Sequence, residues 1–215
     1  MLGETIEAVS EEKVLEMLAS RRDFIDGVVI TGGEPTISPK LHELIATIKE
    51  LKLAVKLDTN GYNPEVLEML LATAEVDFVA MDIKTTWPKY DQATGIAVDT
   101  NRLRKSMALI KASGVDYEFR TTCVPPLVGS EDIEEISKMV GASGQFTLQQ
   151  FQPENTLDPN YERVTPYPLA TLVDFLEIAR RNTASCRLTG LQEVNNPTTS
   201  DHTTRSFQPW GSAPK

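Results

Sequence analysis

Four short polar clusters each follow an apolar run in this chain, and their side chains are of the kinds that hold a charged small molecule. Thr31-Gly32-Gly33-Glu34-Pro35 comes first. Its two glycines let backbone carbonyls approach a ligand closely, and the Glu34 carboxylate can accept hydrogen bonds from an ammonium group. The same residues also suit a tight turn between a strand and a helix. Asp58-Thr59-Asn60-Gly61 follows: Asp58 can accept from ribose hydroxyls, while Asn-Gly by itself marks a turn. In Met81-Asp82-Ile83-Lys84, Asp82 and Lys84 are two apart, so on a strand they share a side. They can pair with each other, or hold a cation and a carboxylate. Arg120, within Glu118-Phe119-Arg120-Thr121-Thr122, is a guanidinium in a strand-like run and needs an anionic partner there.

Short β-rich runs alternating with amphipathic helices predict an α/β protein with parallel strands. The strands are expected at Val28 to Thr31, Leu53 to Asp58, Phe78 to Ile83, Tyr117 to Val124 and Gln145 to Phe151. Leu41, Leu44, Ile45 and Ile48 recur at helical spacing, with Ser38 expected as the N-cap and Pro39 at the first helical position. Asn63-Pro64 repeats the device before Val66, Leu67, Leu70 and Leu71. Further helices are expected around Val14, Leu15 and Leu18; Leu103, Met107 and Ile110; Ile133, Ile136 and Met139; and Leu169, Leu172, Val173 and Leu176, with all these apolar positions in the core. All four clusters then fall at carboxyl ends of parallel strands, where such folds bind ligands.

Composition narrows the function. A chain of 215 residues with 40% hydrophobic content suits one domain. A net charge of −10 opposes binding to nucleic acid. No apolar run reaches membrane-spanning length and no signal peptide is evident at Met1-Leu2-Gly3-Glu4, so a cytoplasmic protein is expected. Cys123 and Cys186 are expected as buried free thiols. His42 and His202 are expected to be solvated. Residues 1–190 form the expected domain. Residues 191–215, rich in polar residues and carrying Phe207 and Trp210, are expected as a flexible tail.

VVITGGEPT, LDTNG, FVAMDIK and the Arg120 segment, in this order and spacing, resemble the radical S-adenosylmethionine superfamily. The resemblance is strongest to the activating proteins of anaerobic ribonucleoside-triphosphate reductase, and it runs from about Val9 to Gly190. It implies a partial parallel (β/α) barrel. By resemblance, Gly32, Gly33, Glu34 and Pro35 receive the amino group of S-adenosylmethionine. Asp58 lies near its ribose, Thr59 belongs to the same cofactor site, and Lys84 and Arg120 hold its carboxylate and the surrounding polar network. Asp58, Thr59 and Asp82 match a monovalent cation site of the related formate-lyase activases, and Gln152 lies near the adenine position.

The implied reaction uses a four-iron four-sulfur (4Fe-4S) cluster, reduced by a donor such as flavodoxin or ferredoxin. The reduced cluster cleaves S-adenosylmethionine to a radical that takes hydrogen from a glycine of the partner reductase. No acid–base residue is required, so no catalytic side chain is expected. The family holds its cluster on C-x3-C-x2-C, which this sequence does not contain. The resemblance therefore implies a barrel lacking its first strand and cluster loop, inactive alone. Loss of a strand's buried side chains, about 1.5–3 kcal/mol each, is expected to leave it prone to aggregate. A radical S-adenosylmethionine enzyme with another substrate, or a non-catalytic binding descendant, are the alternatives.

Overall fold

A computed structural model describes residues 9–156 and 158–191. Six strands, β1 (Gly27–Ile30), β2 (Ala54–Thr59), β3 (Phe78–Asp82), β4 (Asp116–Cys123), β5 (Gln145–Gln150) and β6 (Ser185–Thr189), form one sheet in chain order. Every pairing is parallel. Parallel neighbours need a crossover, and crossovers of one hand between successive strands carry their helices to the same side. The helices are α1 (Glu11–Arg21), α2 (Leu41–Glu50), α3 (Pro64–Ala72), α4 (Tyr90–Thr94), α5 (Thr100–Ala112), α6 (Ser130–Val140) and α7 (Leu169–Arg180).

The register divides the sheet into two unlike faces. Val55 and Leu57 of β2, Val79 and Met81 of β3, Phe119 of β4 and Leu148 of β5 are fully buried. They form one core with Ile45, Leu67, Ile110, Ile136 and Phe175 of the helices. The opposite face carries Lys56 and Asp58, Ala80 and Asp82, Glu118 and Arg120, then Thr147 and Arg187. One-sided helical cover leaves this polar face as the inner wall of a partial barrel, the fold expected from the sequence.

The five expected strands are present with ends shifted by one residue, within ordinary boundary scatter. The sixth, β6, was not expected; in five residues with Arg187 at the centre, only Cys186 and Leu188 signal a buried side. Ser38 does not cap α2. A 3₁₀ turn over Pro35–Ile37 takes the Ser38 N–H onto the Pro35 carbonyl at 3.0 Å, and α2 starts at Leu41 with Lys40 at its N-cap. Asn63 and Pro64 do stand at the N-cap and first position of α3, although the Asn63 side chain makes no capping bond. Leu169 and Val173 are 55% and 43% exposed, so they are not core: α7 turns only Leu172, Phe175 and Ala179 fully inward.

Cys123 and Cys186 are buried and unpaired, as expected. His42 is half-exposed but not simply solvated, since its Nδ1 lies 2.8 Å from Glu75 Oε2. The expected tail beyond Leu191, with Phe207, Trp210 and His202, lies outside the described residues. Among the described residues no helix is long and apolar enough to cross a membrane.

Candidate functional site

At the carboxyl end of β1 the backbone leaves the sheet through Gly32 at φ 140°, a conformation that L side chains avoid. No atom lies within 4 Å of where a Cβ would stand on Gly32 or Gly33, so their backbone borders open space. Glu34 does not face that space. Its Oε1 accepts from the Thr36 N–H at 3.2 Å, the Thr36 hydroxyl at 2.6 Å and the Thr59 hydroxyl at 2.8 Å, and its Oε2 from the Asn60 N–H at 2.7 Å. The carboxylate ties the loop after β1 to the end of β2. What remains for a ligand from this motif is the loop's backbone.

The end of β2 is held as tightly. Gly61, at φ 76°, lets the chain turn over Met81: a Cβ there would stand 2.2 Å from the Met81 Cε. The Gly61 carbonyl accepts from the Ser106 hydroxyl of α5 at 2.6 Å, and its N–H donates to the Thr59 hydroxyl at 3.0 Å. Asp58 and Thr59 are adjacent on a strand and therefore point to opposite faces. Thr59 turns toward Glu34 and Asp58 toward the polar inner wall.

Arg120 occupies the centre of that wall. Its Nε donates to Asp82 Oδ1 and its NH1 to Asp58 Oδ2, each at 2.8 Å. Arg120 and Asp58 have side chains only 14% exposed, so the guanidinium meets the sequence expectation of an anionic partner twice over. Burial works against its charge, but Asp82 and Asp58 outweigh that effect and hold its pKa above the ordinary arginine value. Lys56 Nζ lies 3.4 Å from Asp58 Oδ1 and 3.6 Å from Glu118. Glu118, buried, also accepts from the Thr147 hydroxyl and from Arg187. Three cations and three carboxylates thus pave the wall in alternation. The pair that Asp82 and Lys84 could have made does not form: Asp82 binds Arg120, and among the described residues the exposed Lys84 ammonium has no ion-pair partner.

A cleft of about 480 Å³ opens above this wall. Of the sequence-derived residues it is lined by Asp82, Lys84, Arg120 and Gln152. Gly32, Gly33, Glu34, Pro35, Asp58 and Thr59 do not line it; they stand beside or beneath it as supports. The structure does not bring Thr59 to the Asp58 and Asp82 carboxylates, and Arg120 sits between those two. Sequence reasoning missed Gln149, Thr189 and Gly190 in the lining. The alternation of Gln149 with buried Leu148 could have revealed the first; the other two depended on recognising β6.

Residues 2–141 match the radical SAM superfamily. The chain belongs to that superfamily. Two proteins of Methanocaldococcus jannaschii named as glycyl-radical enzyme activating enzymes are similar to it. One is 37% identical over 150 residues, covering 67% of this chain and 62% of the relative. The other is 30% identical over 135 residues, covering 60% and 49%. The chain spans about half to three-fifths of the length of these relatives. Among solved structures, a domain of pyruvate-formate lyase-activating enzyme from Bacteroides vulgatus superposes with a TM-score of 0.61 at 12% identity, covering 76% of this chain and 99% of that one. Streptococcus suis SuiB bound to S-adenosylmethionine superposes with a TM-score of 0.66 at 21% identity, covering 89% and 46%. These two likenesses establish the fold.

The radical SAM cofactors are S-adenosylmethionine and a 4Fe-4S cluster, and this chain's residues fit them unequally. The cleft offers the unpaired Lys84 ammonium and the Asp82 carboxylate, a donor and an acceptor that match the amino-acid end of S-adenosylmethionine, while the open backbone of Gly32 and Gly33 stands outside its lining. The cluster does not fit the thiols present. A cluster needs closely spaced thiolates, whereas burial pushes the Cys123 thiol up to about 12 and the Cys186 thiol up to about 11. Among the described residues no group of three or more His, Cys, Asp or Glu side chains could hold a metal ion.

Proposed function

We propose that this chain is the S-adenosylmethionine-binding body of a glycyl-radical enzyme activating enzyme, and that its partner is anaerobic ribonucleoside-triphosphate reductase. The observation that carries the reading is the convergence of Asp82, Lys84 and Arg120 from two neighbouring strand ends on one cleft. The relatives' names support the choice of activase. When bound, S-adenosylmethionine supplies the chemistry, and the chain's residues bind and orient it. Lys84 meets the carboxylate, the backbone of Gly32, Gly33 and Glu34 receives the ammonium group with Pro35 fixing the loop's exit, Asp58 faces the ribose, and Thr59 braces the site from the opposite face through Glu34. Arg120 acts from beneath, fixing Asp58 and Asp82. A monovalent cation at Asp58, Thr59 and Asp82 would require both that Arg120 leave the two carboxylates and that Thr59 leave Glu34.

Isothermal titration with S-adenosylhomocysteine is expected to show one site on the wild-type chain; no binding would overturn the reading. With its two thiols buried, the 215-residue chain is expected to build no cluster and to place no glycyl radical on the reductase. A radical signal in electron paramagnetic resonance, with flavodoxin or ferredoxin supplying electrons, would contradict this. The setting proposed is the cytoplasm.

A second reading has one observation in its favour. The chain is 36% identical over 77 residues, covering 35% of this chain and 33% of the relative, to 7-carboxy-7-deazaguanine synthase of Neisseria meningitidis. Retained S-adenosylhomocysteine binding without capture of the reductase would favour a radical SAM protein serving another substrate.

A further inference from the structure

Lys84 is the cleft's unpaired cation, and something must fix where its side chain starts. Ile83 just before it is locked: its N–H donates to the Arg120 carbonyl at 2.7 Å, and its carbonyl accepts from the Thr121 hydroxyl at 2.7 Å. Lys84 itself lies beyond the last β3 pairing. Its N–H donates instead to the hydroxyl oxygen of Tyr90, at 3.2 Å. Tyr90 is 3% exposed and belongs to α4. Its ring stacks on Trp87 with centroids 5.7 Å apart, and the Arg104 guanidinium of α5 lies 4.6 Å from the Trp87 centroid on its face. The stack runs from α5 to Lys84 and ends in one hydrogen bond.

We propose that Tyr90 is a positioning residue for the ligand's carboxylate: its hydroxyl anchors the Lys84 backbone and so sets the point from which the Lys84 ammonium reaches that group. The proposal rests on reading the cleft as an S-adenosylmethionine site. Tyr90 needs no contact with the ligand to act this way. The ring supplies packing and the hydroxyl supplies position, and Tyr90→Phe removes only the second.

Two ligands separate this role from a structural one. S-adenosylhomocysteine carries the amino-acid end; 5′-methylthioadenosine lacks it. Dissociation constants of both are measured by titration calorimetry for the wild type, Tyr90→Phe, Lys84→Met and the double variant. One neutral hydrogen bond corresponds to about a three- to tenfold change. Tyr90→Phe is therefore expected to weaken S-adenosylhomocysteine by that factor and leave 5′-methylthioadenosine unchanged. Lys84→Met is expected to erase the wild type's preference for S-adenosylhomocysteine, and adding Tyr90→Phe to it to change nothing further. Equal weakening of both ligands, no weakening of either, or a full Tyr90→Phe effect in the Lys84→Met background would overturn the proposal while leaving the site reading intact. Failure of the wild type to bind either ligand would overturn both.

Discussion

The two faces of one sheet solve opposite problems with the same strands. Toward the helices, Leu57, Met81, Phe119 and Leu148 are excluded from water and make a single core. Toward the cleft, alternate residues of the same strands carry Lys56, Asp58, Asp82, Glu118, Arg120 and Arg187, each with an oppositely charged partner. The first face stabilises by non-directional burial. The second adds less net stability, because desolvating charges offsets much of their attraction. What it supplies is direction: fixed carboxylates and fixed donors at known places under a ligand. Folding energy and ligand geometry are thus divided between alternate residues of each strand, so they can be perturbed one at a time.

The largest effect is expected on the core face. Phe119→Ala removes a fully buried ring and is expected to cost about 3–5 kcal/mol in urea unfolding, while variants of exposed Lys84 leave the unfolding midpoint unmoved. Next comes Arg120→Met, which leaves Asp58 to Lys56 alone and Asp82 without its cation. With the partners' exposure at 14% and 38%, about 1–3 kcal/mol is expected, together with loss of S-adenosylhomocysteine binding. Retention of that binding would show that the polar face is only a structural lattice. Glu34→Gln keeps the shape but replaces one acceptor oxygen with a donor amide between strand ends. About 1.5–3 kcal/mol per charged hydrogen bond is at stake, and part of it is recovered by amide reorientation. A melting point close to wild type would rule out the strut role of Glu34.

How much of this division was legible beforehand depends on the residue. The βα alternation and the first five strands follow from apolar periodicity, which senses only the buried face. Asp82 and Arg120 were visible as a carboxylate and a guanidinium at strand ends, but their pairing across β3 and β4 depends on register, which one strand's sequence does not encode. Asp82 and Lys84 read as a local pair because proximity in sequence is the only distance a sequence offers. Glu34 read as a ligand group; that its oxygens are used up by Thr36, Thr59 and Asn60 is a fact of three-dimensional crowding. β6 escaped notice because Ser185-Cys186-Arg187-Leu188-Thr189, with an arginine at its centre, lacks the apolar run that marks β1 and β3 and looks like a loop.

Smaller effects sharpen the contrast further. Gly61→Ala forces a side chain into φ 76° and against Met81; about 1 kcal/mol or more is expected from the conformation alone, read as a lowered urea midpoint. The core face also predicts alkaline sensitivity. Burial raises Cys123 to about 12 and Tyr90 to about 12, above their unfolded values. The folded protein then retains protons that the unfolded chain gives up, so stability is full below about pH 8.5 and falls as pH rises toward 12. Urea midpoints that stay flat from pH 8 to pH 11 would contradict the burial of these groups. Native thiols should correspondingly resist a thiol-exchange reagent and react once the chain is unfolded.

The β1-to-β6 order has a kinetic meaning as well. Each strand pairs only with its predecessor and successor in the chain, so the sequence separation bridged by any strand pairing is one βα unit. Parallel sheets that shuffle their strands close long loops before they gain contacts; this one can grow as a row, each unit templating the next. A chain cut between α4 and α5 would leave two pieces joined by one strand pairing, β3 with β4, and by the side-chain contacts around it, such as Arg104 on Trp87 and Arg120 on Asp58. Two such pieces, expressed separately, should reassemble on mixing.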